Sequence, residues 1–144
     1  KIMKIYSQDC KEFFNSAYPS KGLEEFLKYI KRKHKHIKIF VLSGGEKDEI
    51  KIFLNKNNLL SFFEDILASD KNKIDHLKNE NVSKNDIFIG DSITDLKASL
   101  ESNIKFVLFE EYKSLKSFPN NELINRNVFL KTRNFQTFMD KIIK

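Results

Sequence analysis

Short apolar segments alternate along this chain with segments whose apolar residues recur at helical spacing, and this alternation strongly constrains the fold. The short apolar segments are 37–42, 62–67, 87–89, 104–109 and 128–130. The intervening segments carry Leu, Ile and Phe three or four residues apart, as around Phe26 and Phe53. Because the strand-like segments are apolar on both faces, we predict a doubly wound, Rossmann-like α/β domain in which helices cover both faces of a parallel sheet.

The composition fits one folded domain. The chain has 144 residues, of which 40% are hydrophobic and fourteen are Phe, and this is enough for a sizeable core. Cys10 is the only cysteine, which excludes an internal disulfide and a cysteine-based zinc cluster and predicts a cytoplasmic protein. No segment approaches the roughly 20 apolar residues of a membrane helix, so we expect no membrane partner.

The charge balance favours an anionic partner. Lys and Arg number 26 against 20 Asp and Glu, a net charge of +6, which suits phosphorylated metabolites or nucleic acid. The densest basic segment runs from Lys31 to His36, and a solvated helix end that complements the helix dipole is its expected role. The aromatic residues are mostly Phe at core spacing and are not interleaved with this segment, so we do not expect a nucleic-acid partner.

Small residues follow the apolar segment 37–42, at the point where a ligand would meet a sheet of this kind. Ser43, Gly44 and Gly45 precede a helical segment. Glycines let backbone N–H groups approach an oxyanion, the serine hydroxyl can donate, and a helix N-terminus adds partial positive charge. This predicts phosphate binding at Ser43 and Gly44, and an ordinary turn capped by Ser43 is the alternative.

Two carboxylates follow the apolar segment 87–89. Asp91 is expected at the tip of the strand, beside Gly90, and Asp95 one helical turn later. Both can then face one point, where a hard divalent cation would take oxygen ligands. The alternative is a helix cap with a solvated acid in the first turn.

Two lysines, Lys71 and Lys73, open the helical segment after the apolar segment 62–67. A lysine ammonium there can neutralise phosphate and nearby carboxylates, and solvated surface lysines are the alternative. Ile74 and Leu77 set the buried face of this helix, and Lys73 adjoins that face more closely than Lys71. His76, one turn further on, is expected to be a solvated or packing residue.

Taken in chain order, these features resemble the motifs of the haloacid dehalogenase superfamily of hydrolases. Ser43 matches the second motif of the family, Lys73 or less closely Lys71 the third, and Asp91 with Asp95 the acidic pair of the fourth. The resemblance covers about residues 22–108.

The resemblance implies a Mg²⁺-dependent phosphohydrolase that acts on a small phosphorylated metabolite through an aspartyl-phosphate. Ser43 and Lys73 would be catalytic and, with the N–H of Gly44, would bind the phosphoryl group. Asp91 would bind Mg²⁺, with Asp95 in support.

The first motif of the family, an apolar strand followed by Asp-x-Asp, has no match here. Residues 2–16 fit a helix, and Asp9 is followed by Cys10 and Lys11. We therefore interpret residues 1–20 as the end of a helical cap and residues 21–144 as an α/β core that lacks its first, central strand.

Two explanations for the missing motif stay open. The sequence is either the C-terminal part of a longer phosphohydrolase whose nucleophile precedes Lys1, or a catalytically degenerate binding or regulatory module that closes its sheet differently. In both cases we expect the 144-residue chain alone to be inactive.

Overall fold

A computed structural model of the chain describes residues 2–4, 21–109 and 127–142. The strands are β1 (Ile2–Lys4), β2 (Ile39–Leu42), β3 (Asp65–Leu67), β4 (Ile87–Gly90), β5 (Lys105–Phe109) and β6 (Val128–Thr132). The helices are α1 (Leu23–Lys33), α2 (Lys47–Lys56), α3 (Lys73–Asn79), α4 (Ile93–Glu101) and α5 (Phe135–Ile142), with a 3-10 turn at Leu60–Phe62. The predicted α/β fold with a parallel sheet is confirmed.

The six described strands form one parallel sheet in the order β3-β2-β1-β4-β5-β6. From β1 the chain builds the sheet first towards β3 and then, after crossing back, from β4 towards β6. The order therefore reverses between β1 and β4. In open α/β sheets the ligand crevice lies at such a reversal, beyond the carboxyl ends of the strands.

The central strand departs from the sequence prediction. Ile2–Lys4 pairs with β2 on one side and with β4 on the other, and Lys4 stands in register with Val41 and Ile89. The predicted helix from Ile2 and the predicted gap in the sheet are therefore wrong over these residues. Three residues are too few to show a period, so a strand this short cannot be told from part of a helical pattern. Residues 5–20, the rest of the predicted cap segment, lie outside the described residues.

The sheet separates two apolar layers. Alternate residues of a strand point to opposite faces, so Val41 and Ile89 lie in one layer and Phe40 and Phe88 in the other. Helices α1, α2 and α5 cover the first layer through Leu23, Phe26, Leu27, Ile30, Ile50, Phe53, Leu54, Phe135 and Phe138. Helices α3 and α4 cover the second through Leu77, Leu96 and Ala98. The covering on both faces is what the doubly apolar strands predict.

Three helices end in the same way. Asn58, Asn81 and Asn103, just past α2, α3 and α4, have positive φ angles of 58°, 52° and 53°. After each Asn, the N–H of the next residue reaches back into the helix: Leu59 to the Leu54 carbonyl at 2.8 Å, Val82 to Leu77 at 3.4 Å and Ile104 to Ser99 at 3.1 Å. This is the Schellman arrangement, which turns the chain sharply and directs an apolar residue back towards the core.

Candidate functional site

The candidate site lies at the carboxyl edge of the sheet, on either side of β1. Ser43 stands two residues after Val41, and Asp91 stands two residues after Ile89. Val41 and Ile89 are both in register with Lys4 of β1. Neighbouring strands lie about 4.8 Å apart, so the backbones of Ser43 and Asp91 are roughly 10 Å apart across β1.

Asp95 is the most tightly held side chain of the site. It is fully buried in the first turn of α4, at 0% exposure. Its Oδ1 lies 2.5 Å from the Lys73 Nζ, and its Oδ2 accepts from the N–H groups of Asp91 at 3.2 Å and Ser92 at 3.3 Å. Ser92 caps α4 by accepting from the Asp95 N–H at 3.2 Å. Asp95 therefore joins the helix carrying Lys73 to the loop carrying Asp91.

Gly90 is required by this packing. A Cβ atom at Gly90 would lie 2.6 Å from Oδ2 of Asp95 and 2.8 Å from its Cβ, distances that real side chains do not tolerate. Only glycine lets the end of β4 pass this close to the buried carboxylate.

Hydrogen bonds within the chain fix the loop that follows β2. Ser43 is buried, its N–H donates to the Leu67 carbonyl at 2.9 Å, and its Oγ accepts from the Gly45 N–H at 3.0 Å. The N-cap of α2 is Glu46, so the alternative of a helix capped by Ser43 is wrong. Gly44 is exposed between these fixed points, with its backbone accessible to a ligand.

The two candidate lysines have different surroundings. Lys73 is the first residue of α3, with 18% of its side chain exposed, and meets Asp95. Lys71 is exposed and precedes Asn72, whose side chain caps the helix by accepting from the Asp75 N–H at 2.8 Å. The fold thus brings Lys73, and not Lys71, to the Asp95 carboxylate of the fourth motif. The catalytic roles of both Ser43 and Lys73 stay predictions.

The described residues offer an incomplete set of metal ligands. Mg²⁺ takes about six oxygen ligands in near-octahedral geometry, several of them water. Within residues 2–4, 21–109 and 127–142, no group of three or more His, Cys, Asp and Glu side chains is arranged to hold a metal ion. Both oxygens of Asp95 already accept hydrogen bonds, whereas Asp91 is half-buried at the strand tip. Metal binding by either residue stays a prediction.

His76 is the residue of this edge that sequence reasoning underrated. It is buried, and its Nε2 lies 2.7 Å from the Ala68 carbonyl oxygen and 3.4 Å from Oδ1 of Asp70. Of the two predicted roles for His76, solvated or packing, the structure supports packing. The available signal was its position beside Leu77 on the apolar face of a helix.

The basic segment lies away from this edge. Lys31, Arg32 and Lys33 form the last turn of α1, which leads into the amino end of β2. The rings of His34 and His36 lie 6.3 Å apart at a steep angle. This fits the predicted role of complementing the helix dipole. Across the described ranges, no helix is long and apolar enough to span a membrane.

Comparison with protein families identifies the class. Residues 1–109 match the model of the haloacid dehalogenase-like hydrolase family. The chain therefore belongs to this family, as its motifs indicate. No curated protein sequence matches the chain.

Solved structures share the fold. A HAD-hydrolase, YfnB from Bacillus subtilis, bound to magnesium, is 14% identical with a TM-score of 0.67, over 84% of this chain and 54% of that one. A phosphatase from Clostridium difficile is 16% identical with a TM-score of 0.68, and the match covers 85% of this chain and 60% of that one. An uncharacterized protein from Listeria monocytogenes is 13% identical with a TM-score of 0.69, over 99% and 96%. The chain thus spans less than two thirds of the first two proteins and nearly all of the third, and at these identities the likeness shows the fold alone.

Proposed function

We propose that the chain carries the phosphoryl-binding and metal-binding residues of a Mg²⁺-dependent phosphohydrolase acting on a small phosphorylated metabolite in the cytoplasm. The observation that supports this best is the pairing of Lys73 with Asp95 at the edge where Ser43 and Asp91 follow their strands. The relative from Clostridium difficile is described as a phosphatase, and the one from Bacillus subtilis is bound to magnesium.

In this proposal, Ser43, Gly44 and Lys73 hold the phosphoryl oxygens. The Ser43 Oγ accepts from the Gly45 N–H, so its own hydrogen is directed elsewhere and can donate. The Lys73 ammonium has three hydrogens, of which the Asp95 bond takes one. Fixed donors of this kind stabilise the negative charge of the transition state without reorganising.

The covalent step needs a carboxylate that the described residues do not supply. An aspartate outside this chain attacks phosphorus, a P–O bond forms, and the substrate oxygen leaves with the electron pair of the broken bond and takes up a proton. Water then hydrolyses the aspartyl-phosphate and releases inorganic phosphate. Mg²⁺, when bound, neutralises charge on the phosphoryl group. Asp91 would hold the ion, while Asp95 keeps the loop of Asp91 in place.

The binding test uses this chain and inorganic phosphate. We expect weak phosphate binding by calorimetry, and Lys73→Ala should reduce it by about tenfold or more, because the ammonium is a charged donor. Lys71→Ala is the matched control and should change the affinity by less than about threefold, as for an exposed charge. Equal losses in the two variants would contradict the assignment of Lys73. Tight stoichiometric Mg²⁺ binding would show that another carboxylate completes the metal site.

The activity test uses an aryl phosphate. We expect no turnover by this chain with or without Mg²⁺. Because Ile2–Lys4 fills the central place in the sheet, an apolar strand ending in Asp-x-Asp upstream of Lys1 would have to replace it there in the longer polypeptide. Turnover that Asp9→Ala abolishes would instead identify Asp9 as the nucleophile.

A second candidate function is a catalytically degenerate module that binds phosphorylated ligands without hydrolysing them. The sequence after β1 favours it. In the sequence, Tyr6 comes two residues after Lys4, as Ser43 comes two residues after Val41 and Asp91 two after Ile89, and tyrosine has no carboxylate. Absence of an upstream Asp-x-Asp together with phosphate binding would support this candidate over the hydrolase.

A further inference from the structure

His76 is a buried titratable side chain that the proposed chemistry does not use. It lies one turn after Lys73 in α3 and is 5% exposed. Its Nε2 is 2.7 Å from the Ala68 carbonyl oxygen. Because a carbonyl oxygen only accepts, this nitrogen carries the hydrogen and donates it. The Asp70 carboxylate, 3.4 Å from the same nitrogen, lies on the same side. The imidazole thus joins α3 to the segment that follows β3.

The carbonyl that His76 meets faces the open edge of the sheet. The Leu67 carbonyl and the Ser69 N–H both bond on the β2 side, so by strand alternation the Ala68 carbonyl points away from β2. β3 is the first strand in the sheet order, and no described strand pairs with its outer edge. The bond from His76 therefore gives a partner to an edge group that would otherwise be open to water or to another strand.

Helix α3 depends on such contacts for its position. It has only seven residues, and helices this short are not stable by themselves in water. Its buried residues are His76 and Leu77. The Ile74 and Leu77 side chains hold the helix against the sheet through apolar packing, which is not directional. The hydrogen bond of His76 supplies a second, directional contact.

We propose that His76 is a positioning residue whose bond to Ala68 fixes the rotation of α3 so that Lys73 meets Asp95. Residues three and four apart share one side of a helix, so Lys73, His76 and Leu77 lie on one face. A rotation that breaks the bond of His76 therefore also draws the Lys73 ammonium away from Oδ1 of Asp95, 2.5 Å away. The relevance to phosphoryl transfer rests on the proposed function, whereas the coupling of the two contacts does not.

The test follows the Lys73 ammonium by NMR in the ¹⁵N-labelled chain, with its signal assigned by its loss in Lys73→Arg. An ammonium held on a buried carboxylate exchanges its hydrogens slowly with water. His76→Leu keeps an apolar side chain in place but cannot donate, and should speed this exchange by about fivefold to tenfold, as expected for one lost hydrogen bond. His76→Gln, whose amide nitrogen can replace Nε2, should stay within about twofold of the wild-type rate.

Leu77→Val is the matched control, because it weakens the packing of the same helix without touching the Ala68 contact. Urea unfolding gives the stability of each variant. A positioning role requires faster exchange in His76→Leu than in Leu77→Val at an equal loss of stability. Equal exchange in these two variants, unchanged exchange in His76→Leu, or failure of Gln to restore protection would overturn the proposal. If His76→Leu does not fold, His76→Asn replaces it, since its amide is too short to reach Ala68.

Phosphate titration separates this proposal from the proposed function. A wild-type chain that binds no phosphate but shows the exchange pattern above refutes phosphoryl binding and supports the positioning of Lys73. Phosphate binding together with an unchanged Lys73 exchange rate in His76→Leu would support phosphoryl binding and overturn the positioning role of His76.

Discussion

The buried carboxylate of Asp95 explains the identity of several neighbouring residues in the site. A carboxylate at 0% exposure is stable only if charged and polar donors replace the water it has lost. The donors are the Lys73 ammonium and the backbone N–H groups of Asp91 and Ser92. The carboxylate therefore connects α3 to the loop before α4, and it is also part of the candidate site.

The first prediction concerns Gly90→Ala. The new Cβ would lie 2.6 Å from Oδ2 of Asp95, so the carboxylate must move and its hydrogen bonds must lengthen. We expect urea unfolding to show a loss of about 1–3 kcal/mol, as for an overpacked core. The penalty should be smaller in an Asp95→Gly background, where the carboxylate and the Cβ of residue 95 are both gone. The same penalty in both backgrounds would mean that the strain lies elsewhere.

The second prediction separates the two lysines by stability. Lys73→Met leaves the Asp95 carboxylate buried without its cation and should lower the free energy of unfolding by about 2–4 kcal/mol. Lys71→Met removes an exposed charge and should change it by less than about 0.5 kcal/mol. Adding Asp95→Asn should recover part of the loss at Lys73. A larger loss at Lys71 would reverse the assignment.

The candidate site was largely predictable because its residues are tied to strand ends. Ser43, Asp91 and Asp95 each follow an apolar segment, and parallel strands bring their carboxyl ends to one edge. The contacts of His76 were not predictable, since they depend on which strand end faces α3. No local pattern encodes that contact, because Ala68 and His76 meet through the tertiary packing.

At the level of elements, five of the six described strands were predicted and β1 was missed. Five apolar segments overlap β2 to β6. Burial on both faces explains this for β2, β4 and β5, whereas β6 is exposed at alternate residues. β1 has only three residues, and its place in the sheet is set by its two neighbours. β3 is equally short but ends the longer apolar segment 62–67, and no such segment was predicted around β1, because residues 2–16 fit a helix.

The third prediction concerns the helix ends. Asn81 has φ 52°, a conformation that glycine adopts without the steric cost of a Cβ. Asn81→Gly should therefore raise the free energy of unfolding by about 0.5–1 kcal/mol, and Asn81→Ala should lower it by about 1 kcal/mol. Asn85→Gly is the control, because Asn85 does not have a positive φ, and it should give no gain. Thermal unfolding of the three variants decides between these outcomes.

At the scale of the whole molecule, β1 links two halves of the sheet. β2 and β3 lie on one side of it, and β4, β5 and β6 on the other. Without β1 the flanking strands would be roughly 10 Å apart, too far to share hydrogen bonds. The halves also meet through α1 and α5, where the rings of Phe26 and Phe135 are 5.0 Å apart. The halves are thus joined by β1, by the packing of α1 on α5, and by the Lys73–Asp95 pair between α3 and α4.

The last prediction tests the place of β1. Met3 is the middle residue of a strand paired on both sides, in register with Phe40 and Phe88. Met3→Pro removes its N–H from the ladder and should lower the free energy of unfolding by on the order of 3 kcal/mol. Complete unfolding is not expected, because α1 and α5 still join the halves.

Two controls isolate the effect of the lost hydrogen bond. Met3→Leu changes the side chain alone. Lys47→Pro introduces proline at the first residue of α2, where it is tolerated, after Glu46 with an extended ψ of 133°. Both should change the stability by less than about 1 kcal/mol. A Met3→Pro variant as stable as Lys47→Pro would mean that Ile2–Lys4 does not form the central strand in solution, and the sheet would then need its central strand from another segment.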